Sequence, residues 1–126
     1  MRFLVMVKNT PEFEARLEAG EMPPNMSEAM AKMDAFNETL VKDGVLLDMG
    51  GLKPTANGAR IDYSGAKPRV VDGPFTESKE LVAGFWLLEG RSKEEIVERL
   101  SHCPFMLGES VEIRPLYSDD EVAKFV

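Results

Sequence analysis

The run Leu81-Val82-Ala83-Gly84-Phe85-Trp86-Leu87-Leu88 is apolar at odd and even positions alike, with Lys79-Glu80 before it and Glu89-Gly90 after. A membrane-spanning helix needs about 20 apolar residues, so this run is too short to be one. As a strand it points successive side chains to opposite faces. Val82, Gly84, Trp86 and Leu88 would occupy one face, and Leu81, Ala83, Phe85 and Leu87 the other. Neither set tolerates water well, so the chain must place this strand inside a sheet covered on both sides.

The remaining sequence supplies the possible covers. Phe3 to Val7 reads as a first strand, also apolar throughout. Thr10-Pro11-Glu12 starts a short helix: Thr can cap, Pro suits the first helical position, and Glu favours the positive end of the dipole. Phe13 and Leu17 form its apolar side, and Gly20 ends it. Asn25 followed by Glu28 has the spacing of a capping box. The spacing of Met26, Met30, Met33, Phe36, Leu40 and Val41 predicts a helix over 26–43, with the methionines read as part of its core face. Gly44 stops it. A strand follows near 45–50.

Strands over 59–63 and 69–72 are predicted to pair as a hairpin. Beyond the two-faced run, Ser92 with Glu95 predicts a capping box opening a helix over 93–102, with Ile96, Val97 and Leu100 inward. A strand near 110–116 alternates through Val111-Glu112-Ile113-Arg114. Ser118 caps a short helix in the tail.

The order β-α-α-β-β-β-β-α-β indicates an α+β fold. It fits a split βαβ arrangement with an inserted hairpin, in one domain over residues 1–126. Two long helices cover only one face of such a sheet. A second subunit is the economical cover for the other, so a homodimer is expected.

The 22 acidic and 15 basic residues give a formal charge of −7. That sign excludes nucleic acid as a principal partner. A single cysteine, Cys103, excludes an internal disulfide and a Cys-based zinc site, and fits a cytoplasmic location. The apolar start is too short for a signal or a membrane span, so no membrane partner is expected. No metal-ligand cluster or phosphate loop stands out, and no metal or cofactor is expected.

The block Val71-Asp72-Gly73-Pro74-Phe75-Thr76-Glu77-Ser78-Lys79-Glu80, with Ala83-Gly84-Phe85, resembles the DGPF-domain or YCII-related family. Met1-Arg2-Phe3-Leu4, Lys42-Asp43-Gly44-Val45-Leu46, Cys103-Pro104 and Val111-Glu112-Ile113-Arg114-Pro115-Leu116 extend the resemblance over nearly the whole chain. It implies a ferredoxin-like fold paired into a dimeric α+β barrel. It implies less about activity. Many members are uncharacterised bacterial proteins, some are linked to extracytoplasmic-function sigma factors, and one of the broader group is a dehydrochlorinase. A His–Asp active-site pair has been proposed in that group, with the His on the first long helix. Here that helix holds Met33, Asp34 and Asn37 and no His, and the sole histidine is His102. The pair does not carry over.

These readings leave two expectations. One is a cofactor-free acid–base enzyme with a small-molecule pocket between helix and sheet, lined from the Asp72–Lys79 loop. In it Asp72 is base or orienting group and His102 a proton-transfer candidate, with Lys79, Phe75 and Asp34 as substrate contacts. The other is a non-catalytic ligand-binding or regulatory module. In that case Asp72 accepts backbone N–H groups after Gly73, Phe75 is a packed anchor, and His102 caps the last carbonyls of its helix.

Overall fold

The computed structural model describes residues 1–22, 24–104 and 110–126. In chain order the elements are β1 (Arg2–Asn9), α1 (Pro11–Glu18), α2 (Met26–Lys42), β2 (Leu46–Gly51), a 3-10 turn (Thr55–Asn57), β3 (Ala59–Asp62), β4 (Arg69–Asp72), β5 (Leu81–Glu89), α3 (Lys93–Leu100), β6 (Val111–Pro115) and α4 (Asp119–Ala123).

The two-faced run is β5, an inner strand of a four-stranded antiparallel sheet ordered β2-β5-β1-β6. Each βαβ unit is split by a strand of the other, which is ferredoxin-like topology. β3 and β4 pair apart from this sheet as the inserted hairpin.

The register sorts the side chains by face. Phe3 lies opposite Leu88, and Val5 opposite Trp86. These four join Phe36 and Leu40 of α2 and Ile96 and Leu100 of α3 in one core. Phe36 and Trp86 meet edge to face, with centroids 6.2 Å apart at 69°, a geometry that the ring quadrupoles favour. On the other face, Leu4, Met6, Phe85 and Leu87 are only half-buried. Val97, expected inside, is exposed, because Ile96 and Leu100 hold the inner face of α3.

The caps follow local chemistry, with one exception. Thr10 accepts from the Phe13 N–H, Ser92 from the Glu95 N–H, and Ser118 with Glu121 forms a complete capping box. Glu95 does not close its own box. Its carboxylate takes the backbone and side-chain N–H groups of Arg91, which hold it below the usual range. The expected box at Asn25 is absent. Asn25 adopts φ 64°, a left-handed conformation that Asn tolerates, and makes no side-chain cap. Glu28 instead reaches Lys32 at 3.4 Å. Gly44, at φ 71°, terminates α2, and Val45 N–H returns to the Leu40 carbonyl.

Candidate functional site

A cavity of about 390 Å³ opens between the N-terminal half of α2 and the sheet. Its roof is Met26, Ala29, Met30, Met33 and Asn37, and its floor includes Val7, Met49, Gly50, Gly51, Ala83 and Gly84. The spacing that predicted one core-facing stripe therefore serves two purposes. Phe36 and Leu40 enter the core, whereas Met30 stays 58% exposed and the methionine end roofs the cavity. The floor is low because the sheet is glycine-rich where β2, β5 and β1 run side by side. Gly51, Gly84 and Val7 lie in one row across the three strands.

Asn37 and Trp86 close the inner end, and the Trp86 indole N–H donates to Asn37 Oδ1 at 2.9 Å. Among the described residues, no titratable side chain lines this cavity. Cys103 lies beside it, with Sγ 3.9 Å from Met33 Sδ, and burial pushes its thiol up to about 11.

The Asp72–Lys79 loop lies elsewhere. Gly73 packs against the 3-10 turn, and its N–H donates to the Gly58 carbonyl at 3.0 Å. A Cβ at Gly73 would stand 1.7 Å from the Thr55 carbonyl oxygen, so no other residue fits there without moving backbone. Phe75 is buried, its N–H donates to Thr55 Oγ1 at 3.1 Å, and the Arg60 guanidinium lies 3.8 Å over its ring centroid. Arg60 also pairs with Glu77 and donates to Ser78 Oγ at 3.0 Å. A hydrogen bond from its own backbone N–H, and then one from Arg60, hold the exposed Glu77 carboxyl below its usual range.

Beneath the turn sits Glu14 of α1, only 7% exposed. Its carboxylate accepts the Thr55 N–H at 3.0 and 3.1 Å and the Thr55 hydroxyl at 2.7 Å. The sequence gives no sign of this role, because Glu in a first helical turn is ordinarily solvated. Glu14 and Phe75 border a second cavity, of about 350 Å³, between α1 and the loop.

The structure disperses the five residues singled out from the sequence. Asp72 ends β4, exposed, and among the described residues its side chain makes no hydrogen bond or ion pair. The expected bonds from N–H groups after Gly73 are not formed. His102 is exposed beyond α3, 3.3 Å from Glu98, and with Phe36, Thr39, Glu95 and Arg99 it lines an open cavity of about 520 Å³. It does not cap the helix; Ser101 Oγ donates to the Val97 carbonyl instead. Asp34 and Lys79 are exposed and, among the described residues, unpaired. Phe75 borders the second cavity and His102 the one beside α3, and none of the five lines the methionine cavity.

The YCII-related domain matches residues 1–118. The chain belongs to the YCII-related family. It is 34% identical over 90 residues to an uncharacterised protein, R00369, of Rhizobium meliloti (strain 1021), across 69% of this chain and 72% of that protein. A solved structure, the 5-chloro-2-hydroxyhydroquinone dehydrochlorinase TftG of Burkholderia phenoliruptrix AC1100 in complex with 2,5-dihydroxybenzoquinone, aligns at 19% identity with a TM-score of 0.46. That alignment spans 96% of this chain and 99% of that one. In this YCII-related chain the Asp72-Gly73-Pro74-Phe75 stretch fastens a loop to α1 and the 3-10 turn, and none of its residues lines the methionine cavity.

Proposed function

We propose that this YCII-related protein is a homodimeric module that binds a small, largely apolar molecule between α2 and the sheet. The observation that carries the reading is the 390 Å³ cavity, lined by four methionines, Trp86 and a glycine-rich floor, with no titratable group among its described lining residues. Its size is that of small-molecule sites. Methionine suits ligands of varied shape, because its side chain is unbranched and polarisable. Such walls favour binding over proton transfer.

The dimer rests on the sheet face opposite the helices. Leu4, Met6, Phe85 and Leu87 form an apolar band there that no helix of the described chain covers, and a second copy offers a matching band. Sedimentation of the purified protein tests this, with a mass of twice 14.0 kDa expected. A monomer at micromolar concentration refutes it.

Trp86, the single tryptophan, stands at the cavity wall, so its emission reports occupancy directly. Titration with small aromatic compounds should move it saturably, and filling the space with Ala29→Phe should abolish the response. If no compound shifts the emission at millimolar concentration, the binding reading fails. The alternative, a cofactor-free acid–base enzyme using Asp72 and His102, is separated by Asp72→Asn and His102→Gln. The binding reading expects affinities within about twofold of wild type for both, since neither residue lines the cavity.

A further inference from the structure

The orientation of one amide narrows what the cavity can hold. An indole N–H is a donor with no acceptor capacity, so the Asn37 atom facing it must be the carbonyl oxygen. The 2.9 Å contact from Trp86 Nε1 to Asn37 Oδ1 therefore fixes which way the amide points. The other end of the amide, Nδ2, carries two N–H groups. Among the described residues it has no protein partner, and no buried side-chain nitrogen or oxygen is left without one, so Nδ2 remains accessible. Apart from Trp86, Asn37 is the only described lining residue whose side chain carries an N–H or O–H.

The rest of the wall decides the body of the ligand. Met26, Met30, Met33 and Met49 present thioethers, and Trp86 presents its ring, an environment that favours polarisable and aromatic groups. No charged side chain among the described lining residues would neutralise an ion, and burying an unpaired charge is strongly unfavourable.

Resting on the binding reading above, we infer that the ligand is uncharged, has an aromatic or similarly polarisable body, and presents one acceptor oxygen to the Asn37 amide N–H. The held amide is a preorganised donor: its rotamer is fixed before the ligand arrives, which lowers the ordering cost of the bond.

A matched series tests this by following Trp86 emission: ethylbenzene without an acceptor, acetophenone with a carbonyl, and benzoate with a charge. Asn37→Asp keeps an acceptor for the indole and removes the donor, and Asn37→Leu removes both. The affinity ratio of acetophenone to ethylbenzene should fall about fivefold in each variant, the worth of one net hydrogen bond. Benzoate should bind wild type at least tenfold more weakly than acetophenone. Should either variant fail to fold, amide-detected NMR on wild type decides: acetophenone should move the Asn37 side-chain N–H₂ resonances and ethylbenzene should leave them. If both neutral compounds bind but the ratio stays within twofold, or the N–H₂ resonances respond alike, the inference is overturned and the binding reading survives. Benzoate binding as tightly as acetophenone overturns the requirement for an uncharged ligand. If neither neutral compound binds wild type, both readings fall together.

Discussion

Glu14→Ala should destabilise the protein by an amount that its surroundings allow to be worked out. The carboxylate is buried and, among the described residues, has no cation beside it. It is held by the Thr55 N–H and the Thr55 hydroxyl, and Thr55 Oγ1 in turn accepts the Phe75 N–H. One side chain thus ties α1 to the 3-10 turn and, through Thr55, to the loop before β5. A hydrogen bond to a charged group contributes about 1.5–3 kcal/mol, and two donors are involved. Removing the carboxylate also relieves its own desolvation, which offsets part of the loss. The net expectation is about 3 kcal/mol, or roughly 10 °C in Tm for a chain of this size.

Glu14→Gln should cost less, about 1 kcal/mol, because its amide oxygen can accept the Thr55 N–H while its N–H₂ faces Oγ1. Urea denaturation at one fixed protein concentration measures both, since any dimer makes stability depend on concentration. A double-mutant cycle with Thr55→Ala should give a coupling of about 1–2 kcal/mol. If Glu14→Ala falls within about 0.5 kcal/mol of wild type, or the two substitutions are additive, the Glu14–Thr55 tie does not hold the fold.

Gly73→Ala should cost at least about 2 kcal/mol, since the new Cβ would stand 1.7 Å from the Thr55 carbonyl oxygen. Gly51→Ala meets nothing within 4 Å and should stay within about 0.5 kcal/mol of wild type; equal costs in urea would refute the packing described for Gly73. Cys103 has its thiol raised by burial from 9.0 to about 11. At pH 8 its thiolate fraction is then about a hundredfold below that of an ordinary cysteine, and iodoacetamide should label the native protein correspondingly more slowly than the unfolded chain. Native labelling within tenfold of the unfolded rate would contradict this. The same shift sets a sign. The folded thiol keeps its proton to higher pH than the unfolded one, so its contribution is complete below pH 9 and is lost as pH rises from 9 toward about 11.

The fold was legible where one local pattern decides. A run apolar on both faces can only be an inner strand, and β5 is one; Thr10, Ser92 and Ser118 each stand one position before their helix and cap it. The capping-box pattern at Asn25 failed because that residue takes a left-handed backbone, which the pattern does not reveal. The site was less legible, for two physical reasons. Glu14 is buried by Thr55, 41 residues away, and no local signal marks such a pairing. The methionine stripe has ordinary helical spacing, and where it leaves the core depends on the height of the sheet beneath. That height is set by Gly51 and Gly84, whose lack of side chains reads in sequence only as weakened strand.

The stretch that marks the family is then better understood as architecture than as chemistry. Each of its residues that makes a contact makes it with scaffold: Gly73 with the Thr55 carbonyl, Phe75 with Thr55 Oγ1 and the Arg60 guanidinium, Glu77 with Arg60. Those contacts hold the chain as it turns from the hairpin into β5. β5 in turn supplies Ala83, Gly84, Phe85 and Trp86 to the cavity. A loop that fixes where an inner strand begins also fixes its register, and a one-residue slip would send Trp86 to the opposite face, away from Asn37. The loop and the cavity are therefore coupled through the strand, although they share no lining residue. Substitutions that loosen the loop without unfolding the protein should weaken ligand binding through β5, with Asp72, whose side chain holds nothing in the described chain, the position most tolerant of change.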